Sequence, residues 1–426
     1  MAELRGAAGD MLGHEVELEA TKIAHGGISV ARLDGRVVFV SDAIPGERVL
    51  ARISDDSKPS FWRAETVRVL EPSPHRQAHV WPEASVDRDP DDRAGGAEFG
   101  HIDLAHQRRL KAEVLAEALS RMAGIERETA VEALPGPADG TGWRTRVRLH
   151  VASGEDRDAA GTTVEAGTVG PYAARSHRVI PVTSLPLAVP AVREIAPLTE
   201  RITGSDTVDV LAPGTGGARL IIGRQAPSVV RERVGDREFR VDDGGFWQVH
   251  LGAASALTEA VQQAIDPALF DPRAANLDLY GGVGLLAAAV GDRFGRTVRI
   301  TSVESDARAT EHAAENLAEW VGATAVTARV EHWVRQLAGS SAGELSRLAA
   351  GTVVLDPPRS GAGKAVLAAL AAVKPAQLVY VACDPVAFAR DVAILDGFGY
   401  RLQALRALDL FPHTHHLEAV GLLVRE

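Results

Sequence analysis

The chain has 426 residues, of which 46% are hydrophobic, and a formal net charge of −11. The length predicts two to four domains of roughly 100–200 residues each, and the apolar content excludes a disordered or fibrous protein. The acidic balance argues against indiscriminate binding to nucleic acid, because affinity for phosphates comes from Lys and Arg. It is compatible with a nucleic-acid enzyme whose basic residues gather on one face.

The sequence indicates neither export nor membrane insertion. No apolar run reaches the roughly 18 residues that a membrane span requires, and the residues after Met1 lack the pattern of a signal peptide. The single cysteine cannot form an internal disulfide, which fits a reducing compartment. We therefore expect a cytoplasmic protein that does not associate with membranes.

The first 124 residues predict a small β-domain followed by a connecting segment. In residues 1–74, Val16–Ala20 alternates in polarity and Asp34-Gly35 divides two extended stretches. Short strands with close turns predict a compact barrel of the OB type. Residues 75–124 form the connection: the acidic run Asp87–Gly96 predicts an exposed linker, and the spacing of apolar residues over Leu104–Met122 predicts a helix.

Residues 125–245 predict a β-rich central domain. The strand period places Arg144, Arg146, Arg148 and His150 on one face. Such a row of cations could bind along a phosphate backbone. The alternative is that the row is a solvated outer face whose charges are balanced by acidic neighbours. Both remain open from the sequence.

Residues 246–426 alternate strand-like and helical segments, which is typical of βαβ units around a parallel sheet. The strand before Tyr280 runs into a glycine turn that contains Gly281 and Gly282, and a second strand ends at Glu304, 26 residues after Asp278. This order indicates an adenosine-containing ligand. The turn departs from G-x-G-x-x-G, and S-adenosylmethionine has no pyrophosphate to bind, so we favour it over NAD.

Two later strands also end in residues that carry chemistry. Asp356-Pro357-Pro358 forms a stiff loop, and Arg359 stands where amino-group methyltransferases place an aromatic residue. Cys383 directly follows the strand-like run Leu378–Ala382. It therefore lies at the carboxyl end of a predicted strand, where open α/β sheets bind their ligands. By itself a lone cysteine there is as readily a buried apolar residue as a nucleophile.

Together these motifs resemble the RNA uridine-5-methyltransferase family. The resemblance covers most of the chain and follows the family's order: Gly26–Val49, Phe246–His250, Asp278–Gly284, Asp356–Arg359, Cys383–Pro385 and His416–Glu418. It implies an α/β fold: a Rossmann-like class I methyltransferase domain, a β-rich central domain and an N-terminal OB-like barrel of the TRAM type. It also implies a nucleophile at Cys383 and a general base at Glu418. The implied contacts to S-adenosylmethionine are Gln248, Tyr280, Gly282, Glu304 and Asp356.

The chemistry of uracil supports the two catalytic assignments. C5 becomes nucleophilic only after a thiolate adds at C6, and a base must then remove the C5 proton. That scheme needs one thiol and one carboxylate. The RNA cytosine-5 enzymes of the NOL1/NOP2/Sun type use two cysteines, so a lone Cys383 disfavours them.

The chain also departs from the family pattern. Gly95-Gly96-Ala97 replaces a Gly-Gly-Cys of relatives that hold an iron–sulfur cluster, and a chain with one cysteine cannot ligate one. Leu285 replaces a common Asn. Ala382 and Asp384 replace common Ser and Asn, and the carboxylate of Asp384 is expected to raise the pKa of the thiol. His413, His415 and His416 match no catalytic zinc spacing, so we expect no metal.

We therefore expect a monomeric, S-adenosylmethionine-dependent enzyme that forms 5-methyluridine in RNA. The TRAM-like domain favours ribosomal RNA over transfer RNA as the substrate. Two alternatives stay open: a methyltransferase acting on another substrate, and a non-catalytic RNA-binding protein that retains this fold.

Overall fold

The computed structural model describes residues 11–426 and begins with a six-stranded sheet. Its strands pair in the order β1-β5-β6-β4-β3-β2, and alternate side chains on them are buried, as the sequence pattern predicted. Asp34 and Gly35 both have positive φ, 48° and 83°, which confirms the predicted tight turn. The strands are β1 (Glu15–Glu19), β2 (Lys22–Ala24), β3 (Ile28–Leu33), β4 (Arg36–Ser41), β5 (Arg48–Asp55) and β6 (Phe61–Glu71).

The segment after this N-terminal sheet is packed, so the prediction of an exposed linker was wrong. Arg93 is only 2% exposed. Its guanidinium donates to Asp42 Oδ2 at 2.8 Å and to the Thr66 carbonyl at 2.8 Å, which fastens the segment to the sheet. Trp81 and Ala97 lie in the apolar core of the central region. The predicted helix is confirmed as α1 (Leu104–Ala123), and Asp103 caps its first turn.

The central region contains a four-stranded sheet, ordered β11-β10-β8-β9, and a separate hairpin of β12 and β13. Strand β7 belongs to this region in sequence but pairs with the edge of the C-terminal sheet. Sequence patterning did not predict this pairing. The elements are β7 (Val131–Ala133), β8 (Arg146–Val151), β9 (Val169–Gly170), α2 (Pro190–Ile195), β10 (Thr207–Leu211), β11 (Arg219–Ile222), β12 (Val229–Val234) and β13 (Arg237–Asp242).

The C-terminal region alternates helices and strands as predicted. Its elements are α3 (Ala253–Ala264), β14 (Asn276–Leu279), α4 (Leu285–Phe294), β15 (Ile300–Glu304), α5 (Ala307–Asn316), β16 (Ala323–Thr327), α6 (Val330–Leu337), α7 (Ala342–Ala349), β17 (Thr352–Leu355), α8 (Gly363–Val373), β18 (Gln377–Ala382), α9 (Pro385–Asp396), β19 (Tyr400–Asp409) and β20 (Glu418–Arg425).

These strands form one eight-stranded sheet in the order β16-β15-β14-β17-β18-β20-β19-β7. Strands β14 to β18 pair in parallel, and β20 inserts antiparallel between β18 and β19. Every residue of β14, β17 and β18 is buried, because helices cover both faces of the sheet. The strand order reverses at β14, so the ligand crevice is expected at the carboxyl ends of β14 and its neighbours.

The packing of the helices confirms a doubly wound α/β domain. One apolar core joins α1, α6, α8 and α9 to the sheet, and the other joins α3 and α4 to it. Among residues 11–426, no helix is long and apolar enough to cross a membrane.

Candidate active site

The turn after β14 brings backbone into the crevice. A Cβ on Gly281 would lie 2.0 Å from Ser302 Oγ and 2.6 Å from Asp278 Oδ2, so the turn has room for glycine alone. Gly282 adopts a φ of 53° and has open space where a Cβ would stand. Its N–H donates to Glu304 Oε2 at 3.1 Å. The turn therefore exposes bare backbone to a ligand beside a carboxylate.

A cleft of about 1340 Å³ opens above this turn. The structure brings together in it all the candidate site residues that the sequence predicted: Gln248, Tyr280, Gly282, Glu304, Asp356, Cys383 and Glu418. Single-ligand pockets typically occupy about 300–1,000 Å³, so the cleft has room for a cofactor and an extruded nucleotide together. The exposed ring of Phe246 stands at its edge.

The residues at the glycine turn fit an adenosine-containing cofactor. Glu304 Oε1 accepts hydrogen bonds from the N–H groups of Ser305 (2.6 Å) and Asp306 (2.8 Å), which fix the carboxylate at the end of β15. A fixed carboxylate there can accept ribose hydroxyls. Burial raises the pKa of Asp278 beneath the turn to about 7, partly offset by the hydrogen bond from Ser302.

The thiol and two carboxylates meet at the ends of three adjacent strands. Cys383 follows β18, Glu418 begins β20, and Asp356 follows β17. Burial, with the charges of Glu418 and Asp356, raises the pKa of the Cys383 thiol to about 12. Burial and the charge of Asp356 also raise the pKa of Glu418 well above its usual range. Burial and Asp278 raise the pKa of Asp356 to about 7. Each group is thus shifted toward its neutral form.

Both carboxylate oxygens of Asp384, the residue after Cys383, accept hydrogen bonds. Its Oδ1 accepts from the N–H groups of Val386 (3.0 Å) and Ala387 (2.8 Å), so it caps α9. Its Oδ2 accepts from His25 Nε2 at 2.8 Å. Burial opposes ionisation of Asp384, but these hydrogen bonds outweigh it and lower the pKa. Of the charges acting on the Cys383 thiol, Asp384 acts less strongly than Glu418 or Asp356.

The loop before β20 is held by polar contacts. His413 is buried: its N–H donates to Gln107 Oε1 at 2.8 Å, and its Nε2 contacts the Asp139 carbonyl at 2.7 Å. Burial, with the nearby His415 and Arg359, lowers the pKa of His416 to about 3. Its Nε2 therefore accepts from Arg359, 3.3 Å away. The Arg359 cation in turn lowers the pKa of the Cys383 thiol.

The chain is similar to known RNA methyltransferases. The family model described as tRNA (Uracil-5-)-methyltransferase matches residues 233–426. An uncharacterized RNA methyltransferase of Streptomyces avermitilis is 37% identical over 97% of this chain and 98% of its own length. One of Bifidobacterium longum is 33% identical over 96% and 97% of the two chains.

The chain belongs to the RNA (uracil-5-)-methyltransferase family. It is accordingly an S-adenosylmethionine-dependent RNA methyltransferase, and the enzyme class and cofactor expected from the motifs are confirmed. The fold is also confirmed. The crystal structure of Pyrococcus abyssi tRNA (uracil-54, C5)-methyltransferase with S-adenosyl-L-homocysteine superposes with a TM-score of 0.65, covering 96% of this chain and 100% of that one at 21% identity.

The cationic row predicted on β8 does not form a free face in this family member. Arg146 donates to Glu232 Oε1 at 2.8 Å, and Arg148 forms two bonds to Asp209, its cross-strand partner on β10. His150 stacks on Tyr172 with ring centroids 3.5 Å apart. Arg144 lines the cleft instead. The strand alternation was predicted correctly, but neighbouring strands supply carboxylates that neutralise the row.

Two residues around the site were not predicted from the sequence. Glu98 lies in the connecting segment and lines the cleft, with Oε2 3.6 Å from His415 Nδ1. His25 comes from the N-terminal sheet and reaches Asp384, the residue after Cys383. Neither belongs to a motif that predicted the site, and each contacts a residue hundreds of positions away in the chain. Among residues 11–426, no group of three or more His, Cys, Asp or Glu side chains is arranged to hold a metal ion.

Proposed function

We propose that the protein methylates C5 of a uridine in RNA through a covalent bond between Cys383 and C6 of the base. The observation that carries the proposal is the meeting of one thiol and one buried carboxylate, Glu418, in the cleft that also holds the glycine turn. C5 and C6 are inaccessible in a stacked base, so the target nucleotide must be extruded into the cleft.

In this mechanism the Cys383 thiolate attacks C6, and the pair of electrons from the C5–C6 double bond moves onto C5 and O4. The new C6–S bond makes C5 nucleophilic. Arg359, which favours the ionised thiol, lines the same cleft, and its guanidinium can neutralise the charge that develops on the pyrimidine oxygen. The low-dielectric site makes such a cation more effective than it is in water.

The cofactor would be held by Gln248, Tyr280, Gly282, Glu304 and Asp356, and it would supply the methyl group that C5 receives. Glu418 then removes the C5 proton, the double bond re-forms, and the C6–S bond breaks to release Cys383. A base with a raised pKa suits this step, because a general base is most effective when its pKa lies near the working pH. The product is 5-methyluridine, and the thiol returns unchanged.

The class of RNA follows less directly from the molecule. The TRAM-like N-terminal sheet favours ribosomal RNA. The Pyrococcus abyssi enzyme, which covers 96% of this chain, acts on uracil-54 of transfer RNA, so such a sheet does not separate the two substrates. We keep ribosomal RNA as the working substrate and transfer RNA as the second candidate, with the protein acting as a cytoplasmic monomer. Mapping 5-methyluridine in both RNA classes from a deletion strain decides between them.

Release of tritium from RNA that carries 5-tritiated uridine tests the reaction. Methylation at C5 expels that label into water, whereas methylation of any other atom or of a small molecule retains it. We expect one tritium released for each methyl group transferred from S-adenosylmethionine. Methyl transfer without release of tritium would contradict the proposal.

A further inference from the structure

The turn between β2 and β3 of the N-terminal sheet packs beside the proposed nucleophile. His25 in this turn donates to Asp384 across 359 residues of sequence. A Cβ on Gly27 would lie 2.6 Å from His415 Cβ and 3.1 Å from the ring of Phe99, so the turn sits in close contact with the loop before β20. Lys22 on β2 donates to Glu117 on α1 at 2.7 Å. These contacts therefore dock the turn and the strand before it against the connecting segment and the C-terminal region.

Cys383 lies between the main cleft and a small hollow beneath this turn, because it lines both. His25 and Asp384 line the hollow as well. The other titratable groups that share the hollow with them are Lys111, His415 and His416. Lys111 is occupied by Asp409, 2.6 Å away, and by the Phe411 carbonyl. His25 is thus the group that directly bonds the carboxylate beside the thiol.

We propose that His25 is a positioning residue for Cys383: it holds the Asp384 carboxylate against the N-terminus of α9 and compensates its negative charge beside the thiol. This chain carries an acid at position 384, directly after the thiol. An uncompensated carboxylate next to the nucleophile disfavours the thiolate. The helix N-terminus supplies part of the compensation, and the imidazolium supplies the rest.

The protonation of His25 agrees with this role. The hydrogen bond and charge of Asp384 raise the pKa of His25, although partial burial opposes the shift. The sign is that of a histidine that gains an acidic partner: the imidazolium is present below the raised pKa and is lost as pH rises through it. Its effect on the thiol should fade in the same direction.

The lone cysteine makes the test specific, since alkylation by iodoacetamide reports Cys383 alone. The rate is measured from pH 6 to pH 10 in the full-length protein without RNA or cofactor. At pH 6.5 we expect His25→Ala to react at least about threefold more slowly than wild type, which corresponds to a rise of half a pKa unit in the thiol. The two rates should converge toward pH 10, where His25 is neutral.

Three further variants separate charge from packing. His25→Gln keeps a donor of similar reach without the charge, so it should melt like wild type and still react slowly at pH 6.5. Lys22→Ala loosens the same turn without touching Asp384, and its alkylation rate should equal that of wild type. In an Asp384→Asn background, His25→Ala should have a smaller effect at pH 6.5, because His25 there lacks the carboxylate that raises its pKa.

Rates for His25→Ala and wild type that coincide at every pH would overturn the inference, as would a slowing of equal size in the Asp384→Asn background. The inference rests on the proposed role of Cys383, and different experiments test the inference and that role. Alkylation tests the effect of His25 on the thiol whether or not Cys383 is catalytic. Methylation assays on Cys383→Ala test the catalytic role. If both hold, kcat of His25→Ala should fall by the same factor as its alkylation rate, with KM for RNA unchanged.

Discussion

Cys383 and Glu418 lie opposite each other at the ends of two paired strands, β18 and β20. Ala382 of β18 pairs with Ala419 of β20, so the next residue outward on each strand is the thiol on one side and the carboxylate on the other. Directly opposite residues of an antiparallel pair have Cβ atoms about 4.5–5.5 Å apart. The sheet itself therefore sets the separation between the proposed nucleophile and the proposed base, although 34 residues of chain lie between them.

Replacing Glu418, the proposed base, should leave the proposed covalent step intact. In Glu418→Gln the thiolate can still add to C6 and the methyl group can still be transferred, but the C5 proton stays and the C6–S bond cannot break. We expect turnover to fall by about 100-fold or more, and a covalent protein–RNA complex to accumulate with unmodified uridine RNA. Denaturing gel electrophoresis measures the complex. Loss of turnover without any complex would show that Glu418 acts before or during the addition of the thiol.

The rate should rise with pH. The thiol has a pKa raised to about 12, and that of Glu418 is also raised. The Cys383 thiol and Glu418 must both be ionised to react, so the reactive fraction of each group increases with pH. We expect kcat/KM at limiting RNA to increase by about tenfold per pH unit or more between pH 6 and pH 8. Single-turnover methylation measures it. A rate that falls over this range would require a different nucleophile.

Glu304 should act on cofactor binding and not on chemistry. Its carboxylate is fixed by backbone N–H groups at the end of β15. Glu304→Gln removes a charged acceptor, so we expect KM for S-adenosylmethionine to rise by about tenfold with little change in kcat. The matched control is Glu113→Gln, on an exposed position of α1 outside the cleft. An equal loss in both variants would refute a specific role for Glu304.

The buried Asp278 should make stability depend on pH. Its folded pKa of about 7 lies above the value of about 3.9 in an unfolded chain. A raised carboxyl pKa means that its contribution to stability is present at low pH and is lost as pH rises toward 7. Asp278→Asn should therefore increase the free energy of unfolding more at pH 8 than at pH 5, by up to about 4 kcal/mol at pH 8. Urea unfolding at the two pH values measures it.

The control for that measurement is Asp236→Asn, in the exposed turn between β12 and β13. Its unfolding free energy should change little at either pH, because an exposed carboxyl has nearly the same surroundings in both states. If Asp278→Asn destabilised the protein equally at pH 5 and pH 8, the carboxyl would be ionised in the fold at both.

Local signals in the sequence account for the sheet and for most of the cleft. Glycine turns and strand ends are determined by residues that are adjacent in sequence. The sequence alone therefore places Gly282, Glu304, Asp356 and Cys383 at one edge of the sheet. Contacts between distant segments carry no such signal. Asp209 neutralises Arg148 only because β10 happens to pair with β8, and nothing local indicates that His25 meets Asp384.

The same limit explains the acidic connecting segment. Its composition is typical of a solvated linker. Arg93 is nevertheless buried, because its guanidinium donates hydrogen bonds to acceptors on the N-terminal sheet. Composition describes an average over the segment, whereas burial is decided by whether a single side chain can satisfy its donors.

Trapping with RNA that contains 5-fluorouridine at the target position tests the central claim most directly. Fluorine at C5 cannot leave as a proton does, so the enzyme should stop with Cys383 bound to C6 and the methyl group on C5. We predict a stable complex with wild type that requires S-adenosylmethionine, maps to the peptide containing Cys383 by mass spectrometry, and is absent with Cys383→Ala. A wild-type protein that methylates uridine RNA and forms no such complex would contradict covalent catalysis by Cys383.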